Sequence, residues 1–206
     1  MASQTPDQRH PIFGTLGPSQ SNHALILSHY LVRRGLADGQ QCLFGDFSAA
    51  FAALLDGSVD YVLQVSAHAS HSEWVSRTMG RAFIVDTFIA RSRPLAILSR
   101  TEVTVPGSIG LQPATRHYTD LSPWPTQVEE PTIVAVAEGL LAGRYDSGIA
   151  ALDVAARYPD RLRVDRELGA ALDAWVLFGR EPLTEDFVLD PEAPAVRLFA
   201  GVRSGK

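Results

Sequence analysis

The period of the hydrophobic pattern switches repeatedly along this chain. The run IFGTLG at 12–17 reads as a strand, and 20–35 as a helix with Leu25, Leu27, Leu31 and Val32 supplying its apolar side. CLFGD at 42–46 predicts a second strand, FSAAFAALLDG at 47–57 a helix closed by Gly57, and DYVLQVS at 60–66 a third strand. That β-α-β-α-β order predicts a largely parallel sheet covered by helices. The centre differs: AFIVDTFIA (82–90) and PLAILSR (94–100) are extended runs divided by Arg91-Ser92-Arg93. The rhythm then restarts, with a strand near 109–112, a short helix from Pro113, a strand at 126–130 and a helix from 131 to 143. The tail reads as extended again at 173–181 and 195–202.

One internal repeat organises these elements. The stretch LLDGSVD at 54–60 and the stretch LLAGRYD at 140–146 share the pattern Leu-Leu-x-Gly-x-x-Asp. Each is a helix closing on glycine and feeding a strand through an aspartate. The copies lie too far apart for a solenoid and fit two similar α/β lobes, although joints of this kind also recur by coincidence. The lobes are then residues 1–95 with 168–206, and residues 96–167, with crossovers in the 90s and after 168. A ligand is expected between them, where concave sites form. Asp60 and Asp146 are read as serving turns.

Composition narrows the classes. With 206 residues, 46% hydrophobic and 20% charged, the chain can bury a real core as one domain or two small lobes. The net charge is −5 and the 18 basic residues form no run, which disfavours nucleic acid as a partner. No apolar stretch approaches the roughly 18 residues needed to span a bilayer, and MASQTPDQRHP lacks a secretory pattern, so no membrane partner and a cytoplasmic location are expected. Cys42 is the only cysteine, which excludes disulfides and thiolate metal sites within one chain. It is read as a small core residue.

The candidate chemistry begins where the first strand hands over to the first helix. Ser19, Gln20, Ser21, Asn22 and His23 follow Gly17-Pro18, more polar side chains than a turn requires. A helix N-terminus carries unpaired N–H groups and about half a positive charge, so it attracts anions. Ser19 or Ser21 can cap, and a ligand anion is favoured over plain capping. In the second lobe, Pro131 suits a first helical position, with Thr132 in the same turn, and Glu129 and Glu130 just before it argue weakly against an anion there. Two helix ends facing one cleft would suit a compact dicarboxylate.

At this point the residues resemble a family. Gly14-Thr15-Leu16-Gly17-Pro18 before a serine-containing helix start is similar to the opening of prephenate dehydratase domains, where Leu-Gly-Pro precedes a Gly-Thr-x-Ser helix start. FSAAFAALLDGSVDY (47–61) resembles that family's helix–Gly–x–x–Asp–Tyr segment, and Pro113-Ala114 falls where the family has a Ser/Thr-His-Pro element. TIVAVAEGLLAGRYDSGI (132–149) is similar to its second-lobe helix and strand. The likeness runs in order through about residues 12–180, with no regulatory domain expected afterwards. It implies an α/β, two-lobed fold of the type II periplasmic-binding-protein kind, without export, and a homodimer.

The departures are informative. The family's late Thr-Arg-Phe element, whose threonine is implicated in loss of the ring hydroxyl, corresponds to LDAWVLFGR at 172–180, which has no threonine and no arginine before the tryptophan. Gln20-Ser21 also replaces Gly-Thr. The chain is closest to the stand-alone prephenate decarboxylases of bacilysin-type biosynthesis in length, in lacking a regulatory domain and in carrying a late-strand tryptophan. The resemblance therefore implies non-aromatising decarboxylation of prephenate to a dihydro-4-hydroxyphenylpyruvate in secondary metabolism. Another lyase acting on a related cyclic dicarboxylate, and a non-catalytic ligand-binding module, are the alternatives.

Such a site must protonate a ring carbon as carbon dioxide leaves and offer no proton to the hydroxyl. Candidate acids are His23, His68, His71 and His117, because imidazole titrates nearest neutrality. His68 and His71 follow a strand whose C-terminal end should open on the cleft. Their spacing hints at a metal but a third ligand is not evident, so neither metal nor cofactor is expected. Arg116 is assigned to a substrate carboxylate, with Arg91 and Arg93 next in line. His23, His68 and Arg116 are the catalytic candidates. Ser19, Gln20, Ser21, Asn22, Ser66, His71, Thr115, Thr132 and Trp175 are the candidate substrate contacts.

Overall fold

A computed structural model describes residues 10–183, and the strand expected at 195–202 lies outside them. In the first lobe, β1 (Ile12–Leu16), α1 (Asn22–Arg33), β2 (Gln40–Phe44), α2 (Phe47–Asp56), β3 (Tyr61–Val65), α3 (His71–Arg77) and β4 (Phe83–Arg91) follow in order. The second holds β5 (Leu95–Arg100), β6 (Ser108–Leu111), a 3₁₀ turn (Pro113–Thr115), β7 (Thr126–Glu129), α4 (Ile133–Leu141), β8 (Ser147–Ala151), α5 (Asp153–Arg157) and β9 (Leu162–Gly169). The chain then returns as β10 (Leu172–Gly179). The two five-stranded sheets have orders β2-β1-β3-β10-β4 and β7-β6-β8-β5-β9.

Neither sheet is largely parallel as the alternation suggested. Strands β1, β2 and β3 pair parallel, but β10 runs antiparallel between β3 and β4. In the second sheet β6, β7 and β8 are parallel, and β5 lies antiparallel between β8 and β9. The crossovers cause this: a strand arriving from the other lobe enters at the C-terminal edge of the parallel strands and must run back against them.

The helices are shorter than their patterns. Helix α1 starts at Asn22 because the Ser21 hydroxyl accepts from Ala24 N–H at 3.1 Å, and α4 starts at Ile133 because Thr132 accepts from Ala135 N–H at 3.0 Å. Thr132 is thus the cap, and Pro131 precedes it. Helix α2 is capped by Asp46 and ends on Gly57 at φ +85°. The buried face of α1 is Ala24, Ile26, Leu27, Tyr30 and Leu31, whereas Val32 is 70% exposed. Helical spacing explains the correction, since Ala24, Leu27 and Leu31 stack at i, i+3 and i+7, leaving Val32 off the stripe. Each such leucine contributes on the order of 2 kcal/mol by leaving water. Cys42 is half-buried and packs against the α2-side core.

The internal repeat is structural. Gly57 and Gly143 end equivalent helices with φ +85° and +74°, and each leads to a strand whose preceding aspartate clasps the neighbouring strand's start. Asp60 Oδ2 accepts from Ile12 N–H at 2.8 Å; Asp146 Oδ2 accepts from Gly107 and Ser108 N–H at 2.9 and 3.1 Å. An arginine closes each clasp from the end of the central antiparallel strand, Arg180 at 3.3 Å from Asp60 and Arg100 at 3.1 Å from Asp146. Hydrogen bonds from Gly107, above all, hold the Asp146 carboxyl below its usual pKa. Asp146→Ala strands those donors and is expected to lower stability by about 2 kcal/mol, read as a shifted urea midpoint at unchanged slope.

Candidate functional site

Register places one edge of each sheet on the side of the crossovers. Arg91, which ends β4, pairs with Leu172, which begins β10, and Trp175 pairs with Val65 at the end of β3. Leu95, which begins β5, pairs with Ala151 at the end of β8. The C-terminal ends of both sets of parallel strands therefore share that side, which is where ligands sit in open α/β sheets.

On the first lobe this edge gathers aromatic and imidazole rings. His23, in the first turn of α1, lies edge-on to Trp175, Phe47 and His68, with ring centroids 5.2, 5.5 and 6.2 Å away. Among the described residues its Nε2 is enclosed without a hydrogen-bond partner, and so is the indole Nε1 of Trp175. Burial, and secondarily His68, push the His23 pKa from 6.5 down to about 3. Burial also lowers His68, with His71 as second cause, and lowers His71. Near neutral pH this wall is polar yet uncharged.

The loop after β3 carries the other two histidines. His68 sits in the turn and His71 opens α3, a helix that the polar string SAHASHSEW did not announce. Beneath them lies Gln64, fully buried on β3, an ordinary strand position by pattern. Its Oε1 is 2.9 Å from His71 Nδ1, and its Nε2 is 3.5 Å from Ser70 Oγ, which in turn lies 2.9 Å from His68 Nδ1. Gln64 and Ser70 are site residues the sequence reading missed. Ser66 is exposed and its backbone N–H bonds Ala174 O at 2.9 Å.

Several candidates are already engaged. The buried Ser21 hydroxyl caps α1 and also donates to Leu16 O at 2.8 Å. Asn22 reaches the crossover: its Nδ2 donates to Ser92 Oγ and its Oδ1 accepts from Arg93 N–H, both at 3.0 Å. Ser92 donates onward to Asp173, and Arg93 pairs across to Asp153 of the second lobe at 3.5 Å. Ser19 and Gln20 are exposed in the turn before the cap. Trp175 is wholly buried in the α1-side core as well as touching His23.

In the second lobe, Thr115 is buried with its hydroxyl on Gln112 O, and Thr132 is spent as a cap. Arg116 donates to Gln127 at 2.7 Å and to Glu129 at 2.5 Å. An exposed pair like Arg116–Glu129 is worth about 1 kcal/mol at most, so an arriving carboxylate can compete for the guanidinium. Arg91 and His117 are exposed. Among the described residues no three His, Cys, Asp or Glu side chains converge as a metal site, and no helix is long and apolar enough to cross a membrane. A hollow of about 600 Å³ lies between α5 and the crossover, lined by Arg93, Pro94 and Asp153, and one of about 650 Å³ lies at the foot of the first sheet.

Solved structures share this architecture. A prephenate dehydratase from Arthrobacter aurescens, in complex with L-Phe, superposes with a TM-score of 0.61 at 18% identity over 85% of this chain. The fold is that of prephenate dehydratase and periplasmic binding proteins. This chain spans 62% of that dehydratase. An ABC transporter protein from Parabacteroides distasonis matches with a TM-score of 0.55 at 13% identity, over 96% of this chain and 72% of its own. The periplasmic VFT2 domain of Bordetella pertussis BvgS gives 0.50 at 14%, over 82% and 81%. No protein-family model matches the chain, and no curated protein sequence does.

Proposed function

We propose that the crevice between the sheets takes prephenate and that the chain removes its ring carboxylate as carbon dioxide while the ring hydroxyl stays. The observation that carries this reading is the contact of the enclosed, neutral His23 with Trp175 and Phe47. A carboxylate that leaves as carbon dioxide loses its charge in the transition state, so an uncharged, water-poor wall favours that step over the charged ground state. The bond from ring to carboxylate breaks, its electron pair shifts along the neighbouring double bond, and the far carbon takes a proton. Strand β10 has no hydroxyl side chain between Leu172 and Gly179, so this strand offers the ring hydroxyl no alcohol donor that would help it leave.

In this reading the loop histidines manage the proton, and Arg116 exchanges Glu129 for the pyruvyl carboxylate. His23 is unprotonated in the empty protein at neutral pH and stays neutral beneath the leaving carboxylate, so the ring carbon takes its proton from the loop histidines. A second reading draws on the same fact: if the loop histidines deliver no proton past this neutral wall, the chain binds a dianion without turning it over. Incubation of the purified protein with prephenate separates the outcomes by ultraviolet and proton spectra. Carbon dioxide release with a retained hydroxyl is expected; phenylpyruvate would mean a dehydratase, and spectral perturbation without product a binding module. Arg116→Ala is expected to raise KM at least tenfold through loss of a charged hydrogen bond worth about 1.5–3 kcal/mol.

A further inference from the structure

We infer that Gln64 is a positioning residue that fixes where the loop histidines carry their protons: His68 on Nε2 and His71 on Nδ1. One donor in this loop has only one possible role. The Ser70 backbone N–H points at His68 Nδ1 at 3.2 Å, so that nitrogen is an acceptor. The Ser70 hydroxyl, 2.9 Å from the same nitrogen, must then donate to it, which leaves its oxygen to accept. The group facing that oxygen is the Gln64 amide, at 3.5 Å, so its NH₂ points there. Oε1 therefore faces His71, and His71 Nδ1 carries a hydrogen for the 2.9 Å contact. One backbone amide polarises the whole chain of four groups.

A glutamine with no exposure in the middle of a sheet is costly unless every polar atom is matched. Here its partners among the described residues are side chains of the loop after β3, so its fit depends on that loop's conformation. The consequence is chemical. His68 offers Nε2–H as a donor and His71 offers a bare Nε2 as an acceptor, and neither nitrogen has a protein partner among the described residues. Adding a proton to His68 would destroy the acceptor that holds Ser70, whereas adding one to His71 Nε2 leaves the Gln64 contact intact. His71 is thus the ring of this pair able to store a transferable proton without breaking the network. The titratable neighbours are the rings themselves, His23 beside His68 and His68 beside His71, while Glu73 on α3 is paired with Arg77 at 2.8 Å.

This inference assigns parts within the crevice proposed for prephenate, yet its test needs no turnover. Long-range ¹⁵N–¹H correlation spectra of the imidazoles at pH 7.5 report which ring nitrogen is bare. The expected pattern in the unmodified protein is bare Nδ1 in His68 and bare Nε2 in His71. Gln64→Leu should abolish the His71 pattern, and Gln64→Glu, which keeps an acceptor oxygen, should restore it. On lowering the pH His71 should titrate before His68. A bare Nδ1 in His71 of the unmodified protein, or an unchanged pattern in a folded Gln64→Leu variant, overturns the assignment. The first of these needs no variant, so a misfolded substitution does not shield the idea. Prephenate added to the same sample speaks to the substrate alone: no shift in any imidazole signal would sink the proposed reaction and leave the proton positions standing.

Discussion

Gly110→Ala is expected to destabilise the protein by about 3 kcal/mol, the upper part of the range for overpacking a tight interior. A Cβ at Gly110 would stand 2.3–2.8 Å from three ring carbons of Tyr145, inside any real van der Waals contact. The ring cannot retreat. Tyr145 is 1% exposed, its hydroxyl donates to Val136 O at 2.7 Å, and a Cβ at Gly139 on α4 would lie 2.2 Å from that oxygen. Tyr145 is thus clamped in a notch cut by two glycines, one on β6 and one on α4. The first lobe supplies the control. Gly14 holds the equivalent place on β1, beside Val59, and its added Cβ would meet nothing closer than a Phe44 ring carbon at 3.0 Å. Gly14→Ala should therefore cost under half as much. Equal urea midpoints for the two variants would refute this account of the notch.

The same pair of glycines shows how far the sequence could be read. The repeat at 54–60 and 140–146 was visible as letters because helix end, glycine and aspartate sit within seven residues. Its continuation, Phe13-Gly14 on β1 against Ile109-Gly110 on β6, was not, since a two-residue likeness carries no signal until the sheets show equivalent strands. Elements β9, α3 and α5 were missed for a related reason. Helices of seven and five residues complete too few turns for a period to emerge. Strand β9 is an edge strand whose residues are mostly exposed, so its apolar alternation is weak. At the site, the cluster SQSNH was legible as unusual but not as divided. Ser21 turns inward as a cap, Asn22 joins a crossover 70 residues away, and His23 is enclosed by rings from α2, β10 and the β3 loop. Polar letters in a turn suggest exposure, and only tertiary contacts from later elements reverse that for His23.

Enclosure of a histidine makes acid the sharpest probe of this site. In the folded chain His23 binds a proton only near pH 3, whereas the unfolded chain binds one near 6.5. Between those limits the unfolded state holds the extra proton, so stability is full above about 6.5 and is lost as pH falls, by up to about 1.4 kcal/mol per unit. His68 and His71, whose pKa values are also lowered, add in the same direction. His23→Leu removes the largest of these contributions while filling similar volume against Trp175 and Phe47. Its urea-unfolding free energy should fall less steeply than that of the unmodified protein between pH 6.5 and 4, with the two curves converging or crossing as acid is added. Carboxylates lose stability in acid too, but identically in both proteins, so the difference isolates His23. Parallel curves would mean that the imidazole is hydrated in the empty protein, and the uncharged wall that decarboxylation needs would not exist. A seated dicarboxylate should act oppositely at the loop, drawing a proton onto His71 Nε2 while His23 stays neutral, and making binding tighter as pH falls from 7 towards 5.5. Calorimetry in two buffers of different ionisation enthalpy would show that proton uptake directly.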